Sequence, residues 1–237
     1  MYSYAPEKRN ILKSLTAFKY YHIDIPLKYQ ISKRKTSNNR FSCGLTEYKY
    51  DTRKKNDVRY SERTVELPIA IKYVNDCKGS ILEVGNVLNQ YYHFPHTVVD
   101  KYEISQGVIN TDIVDFVPNT KYDLVISIST LEHVGFDEEE QDSTKILKSL
   151  DKLFSATKDG GTILISVPLG HNPHLDIYLK NGIIKAPDMH LLKRTSYKNE
   201  WVEQSLDLLN TEKFVYGSPY PYANYVLVMM WTKIKGM

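Results

Sequence analysis

Residues 80–92, SILEVGNVLNQYY, constrain the fold more than any other part of this sequence. The apolar run ILEV stands between Gly-Ser and Gly-Asn, which is typical of a buried strand that ends in a sharp turn. In doubly wound α/β domains, the loop after the first strand lies where a nucleotide-like ligand binds. Gly85 can take backbone angles closed to other residues and lets a ligand approach the main chain. The stretch therefore predicts a nucleotide-type cofactor site at Gly85.

Strand patterns and helix patterns alternate along the rest of the chain. Residues 121–130 are a dense β-branched run, and residues 137–157 place acids before an apolar stripe, as a helix start favours. This alternation predicts an α/β fold: a doubly wound, mostly parallel, seven-stranded Rossmann-like sheet with helices on both faces. Strands are expected at 80–84, 97–100, 121–130, 162–168, 189–195 and 225–232, and residues 107–109 and 112–116 are expected to form a third strand or its exit loop. Helices are expected at 8–21, from 61, at 88–93, 137–157 and 200–209, with a short one within 170–182.

The charge is distributed unevenly, although the net charge of the 237 residues is only +3. Residues 1–60 carry 14 Lys/Arg against 5 Asp/Glu, and the remainder carries 17 against 23. We therefore expect a basic N-terminal extension over 1–60, serving as a substrate-binding arm or lid, and a Rossmann-like domain over 61–237. A basic arm suits an anionic substrate, nucleic acid or a membrane surface. A solvated extension without a ligand is the alternative.

The lengths of the apolar runs and the positions of the two cysteines indicate the compartment in which the protein is expected. No apolar run reaches the roughly 18 residues of a membrane span, and no charged-then-apolar leader opens the sequence. Cys43 and Cys77 have no metal-ligand spacing and fit reduced thiols. We expect a cytoplasmic protein with no membrane span and no metal site.

Short motifs follow one another between residues 62 and 171. They are Glu83-Val84-Gly85, Asp100, Asp112-Ile113, Tyr122-Asp123-Leu124-Val125, Leu131-Glu132-His133-Val134 and Gly160-Gly161-Thr162. Their order and spacing resemble those of the class I S-adenosylmethionine-dependent methyltransferases. The runs ERTVELP and SISTLEHVG further resemble a subgroup linked to glycan biosynthesis.

This resemblance implies that S-adenosyl-L-methionine is the cofactor. Asp100 would accept hydrogen bonds from the ribose hydroxyls, Asp112 would accept one from the adenine amino group, and Ile113 would pack on the ring. Ordinary loop capping is the alternative for both acids, and buttressing of the loop is the alternative for Glu83. The ammonium of the methionine part would be held by Glu83 and by carbonyls near Ser129. Its carboxylate would be held by backbone N–H groups after Gly85, from Asn86 onward, or by Arg63.

The glycine-rich loop departs from the pattern of that family. The family has further glycines, whereas this loop reads Gly85-Asn86-Val87-Leu88 and keeps only one. The loop is therefore expected to be bulkier and to bind the cofactor more weakly or in a shifted pose. The missing glycines also disfavour a dinucleotide-dependent oxidoreductase, and the absence of GxxxxGK[ST] excludes a P-loop enzyme.

Two histidines are candidates for the catalytic base. His133 and His171 follow the carboxyl ends of predicted strands, and a histidine suits proton removal from an acceptor hydroxyl. Loop histidines with one hydrogen bond are the alternative. The expected activity is O-methylation of a small molecule or saccharide precursor. An RNA methyltransferase that uses the basic arm and an inactive binding module stay open as alternatives. Lid or acceptor-pocket candidates are His174, Asp176 and residues 219–225.

Overall fold

One sheet of eight strands and a separate two-stranded hairpin make up the β-structure of the residues described here. The structure is a computed structural model and describes residues 40–234, so the helix expected at 8–21 lies outside the described residues. The hairpin is β1 (Arg40–Cys43) and β2 (Thr46–Lys49), and the sheet is β3 (Ile81–Val84), β4 (Thr97–Asp100), β5 (Val108–Asn110), β6 (Tyr122–Ile128), β7 (Thr157–Pro168), β8 (Asp188–Arg194), β9 (Trp201–Gln204) and β10 (Tyr225–Thr232).

The strand order of the sheet is β5-β4-β3-β6-β7-β10-β8-β9. The strands β5, β4, β3, β6 and β7 run parallel, whereas β10 pairs antiparallel with both β7 and β8, and β9 pairs antiparallel with β8. The chain reverses its direction of winding at β3, whose neighbours are β4 and β6. A crevice therefore opens beyond the carboxyl ends of these strands, where ligands of such sheets bind. The expected mostly parallel, doubly wound sheet is confirmed.

Helices cover both faces of the sheet, as expected. The helices are α1 (Arg63–Asp76), α2 (Lys145–Ala156), α3 (Pro173–Lys180) and α4 (Leu208–Thr211). Buried side chains of α2, α3 and α4 share one apolar core with the sheet, and those of α1 share the other. Among the described residues, no helix has the length and apolar character needed to cross a membrane. The cytoplasmic location stays a prediction.

A proline inside α1 is compensated from outside the helix. Pro68 has no backbone N–H, so it cannot donate to the carbonyl of Thr64. That carbonyl instead accepts the backbone N–H of Asp51 at 2.9 Å, and the Thr64 hydroxyl donates back to the Asp51 carbonyl at 2.7 Å. The polypeptide before the helix thus satisfies the group that the proline leaves open.

The hairpin packs in the same core as α1. Phe41 and Tyr48 are buried there, and the Phe41 ring stacks on Tyr48 and Tyr50 with ring centroids 5.4 and 5.0 Å apart. Burial also raises the pKa of the Cys43 thiol to about 12, and both cysteines are free. Residues 40–60, which the sequence assigns to the extension, thus pack with the sheet. The division at residue 60 stays a prediction.

Three elements differ from the sequence expectation. The helix expected at 137–157 begins only at Lys145, because residues 137–144 form turns stabilised by side-chain contacts. The helix expected at 200–209 was wrong: its first part is β9, which buries Trp201 at the sheet edge and adds the eighth strand, and only α4 follows. The helix expected at 88–93 shrinks to the single 3-10 turn Leu88–Gln90. Residues 108–110 form the expected third strand, β5, and residues 112–116 lie in the loop and turn after it, which is one of the two expectations for this stretch.

A buried arginine joins three backbone segments on the β8 side of the sheet. Arg194 is only 2% exposed, and its guanidinium donates to the carbonyls of Tyr60 at 2.8 Å, Pro221 at 2.7 Å and Ser196 at 3.2 Å. Buried carbonyls that lose their donors keep the full cost of desolvation.

We expect Arg194→Met to lower the free energy of unfolding by about 3 kcal/mol, because three partly buried carbonyls lose the donor that the buried guanidinium supplies. Urea denaturation measures this value. The matched control is Arg40→Met, whose arginine is exposed and, within residues 40–234, forms an ion pair with Glu47 alone, so the expected loss is about 0–1 kcal/mol. Equal losses in the two variants would contradict the role given to Arg194.

Candidate functional site

A cavity of about 450 Å³ lies at the carboxyl ends of β3, β4 and β6. Its position is the crevice that the sheet topology predicts. Of the predicted cofactor residues it is lined by Gly85, Asn86, Asp100, Asp112, Ile113 and Ser129, and of the predicted catalytic residues by His133. We call this space the first cavity.

Gly85 is required by the packing of the strand end. Its φ is +84°, and a Cβ atom there would lie 2.0 Å from Oγ1, 2.6 Å from Cγ2 and 2.8 Å from Cβ of Thr130. The sequence pattern predicts that this glycine lets a ligand come close to the main chain. The structure shows that close contact with Thr130, just after β6, already excludes a side chain at this position.

Glu83 lies beneath the loop and holds it. Its carboxylate is fully buried and accepts the backbone N–H groups of Val87 at 2.7 Å, Leu88 and Asn89 at 3.3 Å. A side-chain nitrogen of His96 lies 2.7 Å from the same carboxylate. Glu83 does not line the first cavity. Of the two roles considered for Glu83, this geometry fits the buttress.

Asp100 and Asn86 line the first cavity and have unused acceptor capacity. The Asp100 carboxylate accepts the backbone N–H groups of Tyr102 and Glu103 at 2.8 Å each and that of Asn86 at 3.0 Å. A carboxylate has about four lone-pair sites, so one remains for a ligand. The Asn86 Oδ1 atom is buried and has no hydrogen-bond partner among the described residues. Both atoms suit hydroxyl or ammonium donors of a ligand.

Asp112 belongs to an ion-pair network that the sequence did not reveal. Its Oδ2 lies 2.6 Å from the Lys145 ammonium and 3.1 Å from that of Lys101, and both lysines also contact Glu138. Burial opposes ionisation of Asp112, but the hydrogen bonds from Lys145 and Lys101 hold its pKa below the ordinary value. The contact of Asp112 with the adenine amino group stays a prediction. Both lysines already contact its Oδ2.

A second cavity of about 340 Å³ adjoins the first. The two share Val87, Gln90, Ser129 and His133, so they meet at the loop that follows β6. Ser129 has a φ of +35°, a strained value for a non-glycine residue that often marks functional sites. The other residues lining the second cavity include Glu62, Arg63, Tyr91, Glu132, His171, Tyr216 and Tyr222.

Buried acids surround one arginine beside the second cavity. Arg63 pairs with Glu66 at 2.5 Å, and Glu66 also accepts the hydroxyls of Ser129 and Ser166 at 2.7 Å each. These charges lie at the start of α1, where the sequence pattern gave only a helix cap and an apolar face. Arg63 was predicted to bind the carboxylate of the cofactor's methionine part. It lines the second cavity and not the first, and this role stays a prediction.

Two further glutamates belong to this group, and one buried oxygen of theirs has no hydrogen-bond partner among the described residues. Burial raises the pKa of Glu132 and of Glu62. The Glu62 carboxylate accepts the backbone N–H of Ala223 at 3.1 Å, whereas Glu132 Oε2 has no partner among the described residues. A buried carboxyl without a partner that lines a cavity is suited to a polar ligand.

The two predicted catalytic histidines meet at the junction of the cavities. Their ring centroids lie 4.6 Å apart, and both approach Asp137 Oδ2, His133 Nδ1 at 2.5 Å and His171 Nε2 at 3.1 Å. The sequence placed Asp137 in a helix and gave it no role. It lies between the histidines because the helix starts later. The catalytic role of either histidine stays a prediction.

The lid candidates differ in position. Tyr222 lines the second cavity, in agreement with a pocket role for residues 219–225. Asp176 accepts the backbone N–H of Gly170 at 3.0 Å and thereby caps the loop after β7. His174 is exposed and lines neither cavity.

We expect Gly85→Ala to lower the free energy of unfolding by about 1–3 kcal/mol more than a purely conformational substitution, because its Cβ would overlap Thr130. The control is Gly107→Ala. Gly107 has nearly the same φ, +85°, but nothing within 4 Å of an added Cβ, so only the strain of about 1 kcal/mol remains. Urea denaturation of both variants separates the cost of overlap with Thr130 from the cost of backbone strain. Equal losses of unfolding free energy in the two variants would show that the overlap has no effect.

The His96–Glu83 pair makes stability depend on pH. Burial opposes protonation of His96, but its hydrogen bond to Glu83 raises its pKa in the folded state. The resulting stabilisation is fully present below the ordinary histidine pKa of about 6.5 and is lost as pH rises through the raised value. We expect the free energy of unfolding to fall with pH in that window, and His96→Gln to remove the slope.

Denaturation at a series of pH values measures this dependence. The control is His93→Gln, since His93 is an exposed histidine three residues away, and it should keep the slope of the wild-type chain. An unchanged slope in His96→Gln would refute the assignment.

Comparison with known proteins finds similar solved structures, whereas the two sequence comparisons find nothing. The sequence matches no protein-family model and no curated protein. The N-methyltransferase NodS from Bradyrhizobium japonicum WM9, in complex with S-adenosyl-L-homocysteine, is similar at 14% identity over 88% of this chain and 99% of that chain, with a TM-score of 0.46.

Two further solved structures are methyltransferases. The sugar N-methyltransferase KedS8 from Streptoalloteichus sp ATCC 53650 is similar at 11% identity over 72% of this chain and 87% of that one, with a TM-score of 0.38. An S-adenosylmethionine-dependent methyltransferase from Clostridium acetobutylicum ATCC 824 matches at 11% identity over 70% and 89%, with the same TM-score. At these values the likenesses carry no conclusion about activity. By its own strand order and two helix layers, the chain has a Rossmann-like α/β fold with antiparallel pairing at one end of the sheet.

Proposed function

We propose that this chain is an S-adenosyl-L-methionine-dependent methyltransferase that methylates an oxygen of a small molecule or saccharide precursor. The observation that carries the proposal is the pair of adjoining cavities at the carboxyl edge of the sheet, which share Ser129 and His133. Methyl transfer needs two ligands held in line, and such positioning supplies much of the rate. Two cavities that meet at one loop meet this need.

The residues of the first cavity fit the cofactor. Asp100 keeps one acceptor site that suits the ribose hydroxyls, and Asn86 Oδ1 offers an acceptor without a partner. Ile113 is buried against the cavity and suits an aromatic base. A volume of about 450 Å³ lies within the range for ligands of this size. When bound, the cofactor would supply a methyl group activated on a sulfonium.

The residues of the second cavity fit a polar acceptor. Its wall combines carboxyl groups, tyrosine hydroxyls and two imidazoles, which can donate and accept hydrogen bonds to several hydroxyls at once. His133 faces both cavities, so it is positioned to accept the proton of an acceptor hydroxyl. His171 contacts the second cavity only and is suited to orient His133.

Calorimetry with S-adenosyl-L-methionine tests the cofactor half of the proposal. We expect a Kd of about 1–100 µM for the wild-type chain, and a loss of at least about tenfold in Asp100→Ala, equal to about 1.4 kcal/mol. Asp115→Ala is the control, because Asp115 is exposed on the nearby turn and does not line the cavity. No binding at millimolar cofactor would refute the proposal, and so would equal binding by the two variants.

Product analysis tests the acceptor half. Incubation with methyl-labelled cofactor and a panel of hydroxylated sugars and small molecules should yield S-adenosyl-L-homocysteine together with a methyl ether. Cofactor binding followed by methylation of structured RNA alone would contradict the acceptor class and favour the basic N-terminal arm as an RNA contact. Cofactor binding without transfer to any acceptor would favour a catalytically inactive binding module.

A further inference from the structure

Three possible metal ligands converge at the junction of the two cavities. They are Nδ1 of His133, a carboxylate oxygen of Asp137 and Nε2 of His171, and all three atoms lie within 4.8 Å of one another. From this convergence we propose that the three residues bind one divalent first-row transition-metal ion. The sequence gave no sign of such a site, because the ligands come from two loops that only the folded sheet brings together.

The distances allow one ion to reach all three atoms. Asp137 Oδ2 lies 2.5 Å from His133 Nδ1 and 3.1 Å from His171 Nε2. Zinc binds imidazole nitrogen and carboxylate oxygen at about 2.0–2.2 Å, so ligand atoms around one ion stand roughly 3 Å apart. Small side-chain rotations suffice to open the cluster around an ion. Two imidazoles and one carboxylate suit zinc, iron, cobalt or nickel better than magnesium or calcium.

Groups behind the ligands hold them in place. Nε2 of His133 lies 3.4 Å from Oε1 of Glu132, whose side chain is only 1% exposed. Metal-bound histidines commonly donate their second ring nitrogen to a carboxylate, which fixes the ring and increases its basicity. The His171 ring is held at its edges by Phe136 and Tyr216, with ring centroids 5.8 and 5.3 Å away. The ring contacts restrict the His171 imidazole, and the Glu132 carboxyl lies close to the second nitrogen of His133.

The ligand set leaves positions open to solvent. The side chains of His133 and Asp137 are 47% and 45% exposed, and that of His171 is 24% exposed. With three protein ligands, a first-row ion retains at least one site for water or substrate, as catalytic sites do. The cluster also faces the second cavity through His133 and His171. An acceptor oxygen in that cavity can therefore complete the coordination.

This placement gives the ion a role that rests on the proposed function. With the ion bound, His133 would be a ligand and no longer the base proposed for the metal-free site. A hydroxyl bound to a divalent ion loses its proton more readily, and that proton would leave to water at the exposed mouth. The oxygen then forms a bond to the methyl carbon while the carbon–sulfur bond breaks, and its electron pair stays on the now neutral sulfur. No redox step and no further reactant is involved.

Metal titration of the full chain tests the site without any substrate. After treatment with a chelator and its removal, the protein is titrated with Zn²⁺ by calorimetry, and with Co²⁺ by its visible absorption bands. We expect one equivalent to bind with a Kd of about 1 µM or tighter. His171→Gln and Asp137→Ala should each weaken binding at least about tenfold. His93→Gln removes an exposed histidine elsewhere and should leave the affinity unchanged.

Each result bears on the proposal. Absence of Zn²⁺ binding at 1:1 stoichiometry would overturn it, and so would affinity that survives both His171→Gln and Asp137→Ala. Thermal unfolding of each variant checks folding; because the histidine and aspartate are partly exposed, the variants should fold. Cofactor calorimetry on the chelated protein keeps the two proposals apart. Cofactor binding without Zn²⁺ binding overturns the metal site alone, whereas Zn²⁺ binding without cofactor binding supports the metal site and overturns the methyltransferase proposal.

Discussion

The buried carboxylate of Glu83 determines the course of the loop at the candidate cofactor site. It accepts three consecutive backbone N–H groups from residues 87–89 and contacts His96. A loop rich in glycine can turn back without such support, but this loop has bulky residues after its single glycine. Because the side chain beneath it satisfies the backbone, the loop keeps a fixed path and forms one wall of the first cavity. The cost of burying the charge is offset by these hydrogen bonds.

The buried carboxyl groups beside the second cavity differ from Glu83 because the protein does not satisfy all of them. Glu62, Glu66 and Glu132 place three carboxyl groups near one arginine, and only part of this set is satisfied internally. Buried polar groups without partners reduce stability, and in folded proteins they concentrate where a ligand is bound. The acids that line the first cavity have ion-pair or hydrogen-bond partners, whereas beside the second cavity Glu132 Oε2 has none among the described residues. The two cavities therefore differ in how far the protein itself satisfies their polar groups.

The sequence predicted the central part of the fold better than its edges. The runs that became β3, β6 and β10 are buried on both faces, so their apolar patterns are continuous and unambiguous. The sequence predicts a helix at 200–209, but residues 201–204 form an edge strand whose burial depends on pairing with β8, which no local pattern shows. Asp100 and Gly85 were found because they follow strands directly. Asp137 was missed because its position depends on turns held by Lys145 and Glu138.

The hydrogen bond between Asp51 and the carbonyl of Thr64 has a consequence for shortened versions of this protein. A chain cut at residue 61, where the sequence pattern places the start of the domain, would keep Pro68 but lose the donor that compensates for it. It would also lose Arg53 and Lys55, which donate to the carbonyls of Tyr91 and Gln90. Removal of a segment that carries no catalytic candidate would thus loosen both α1 and the wall of the second cavity.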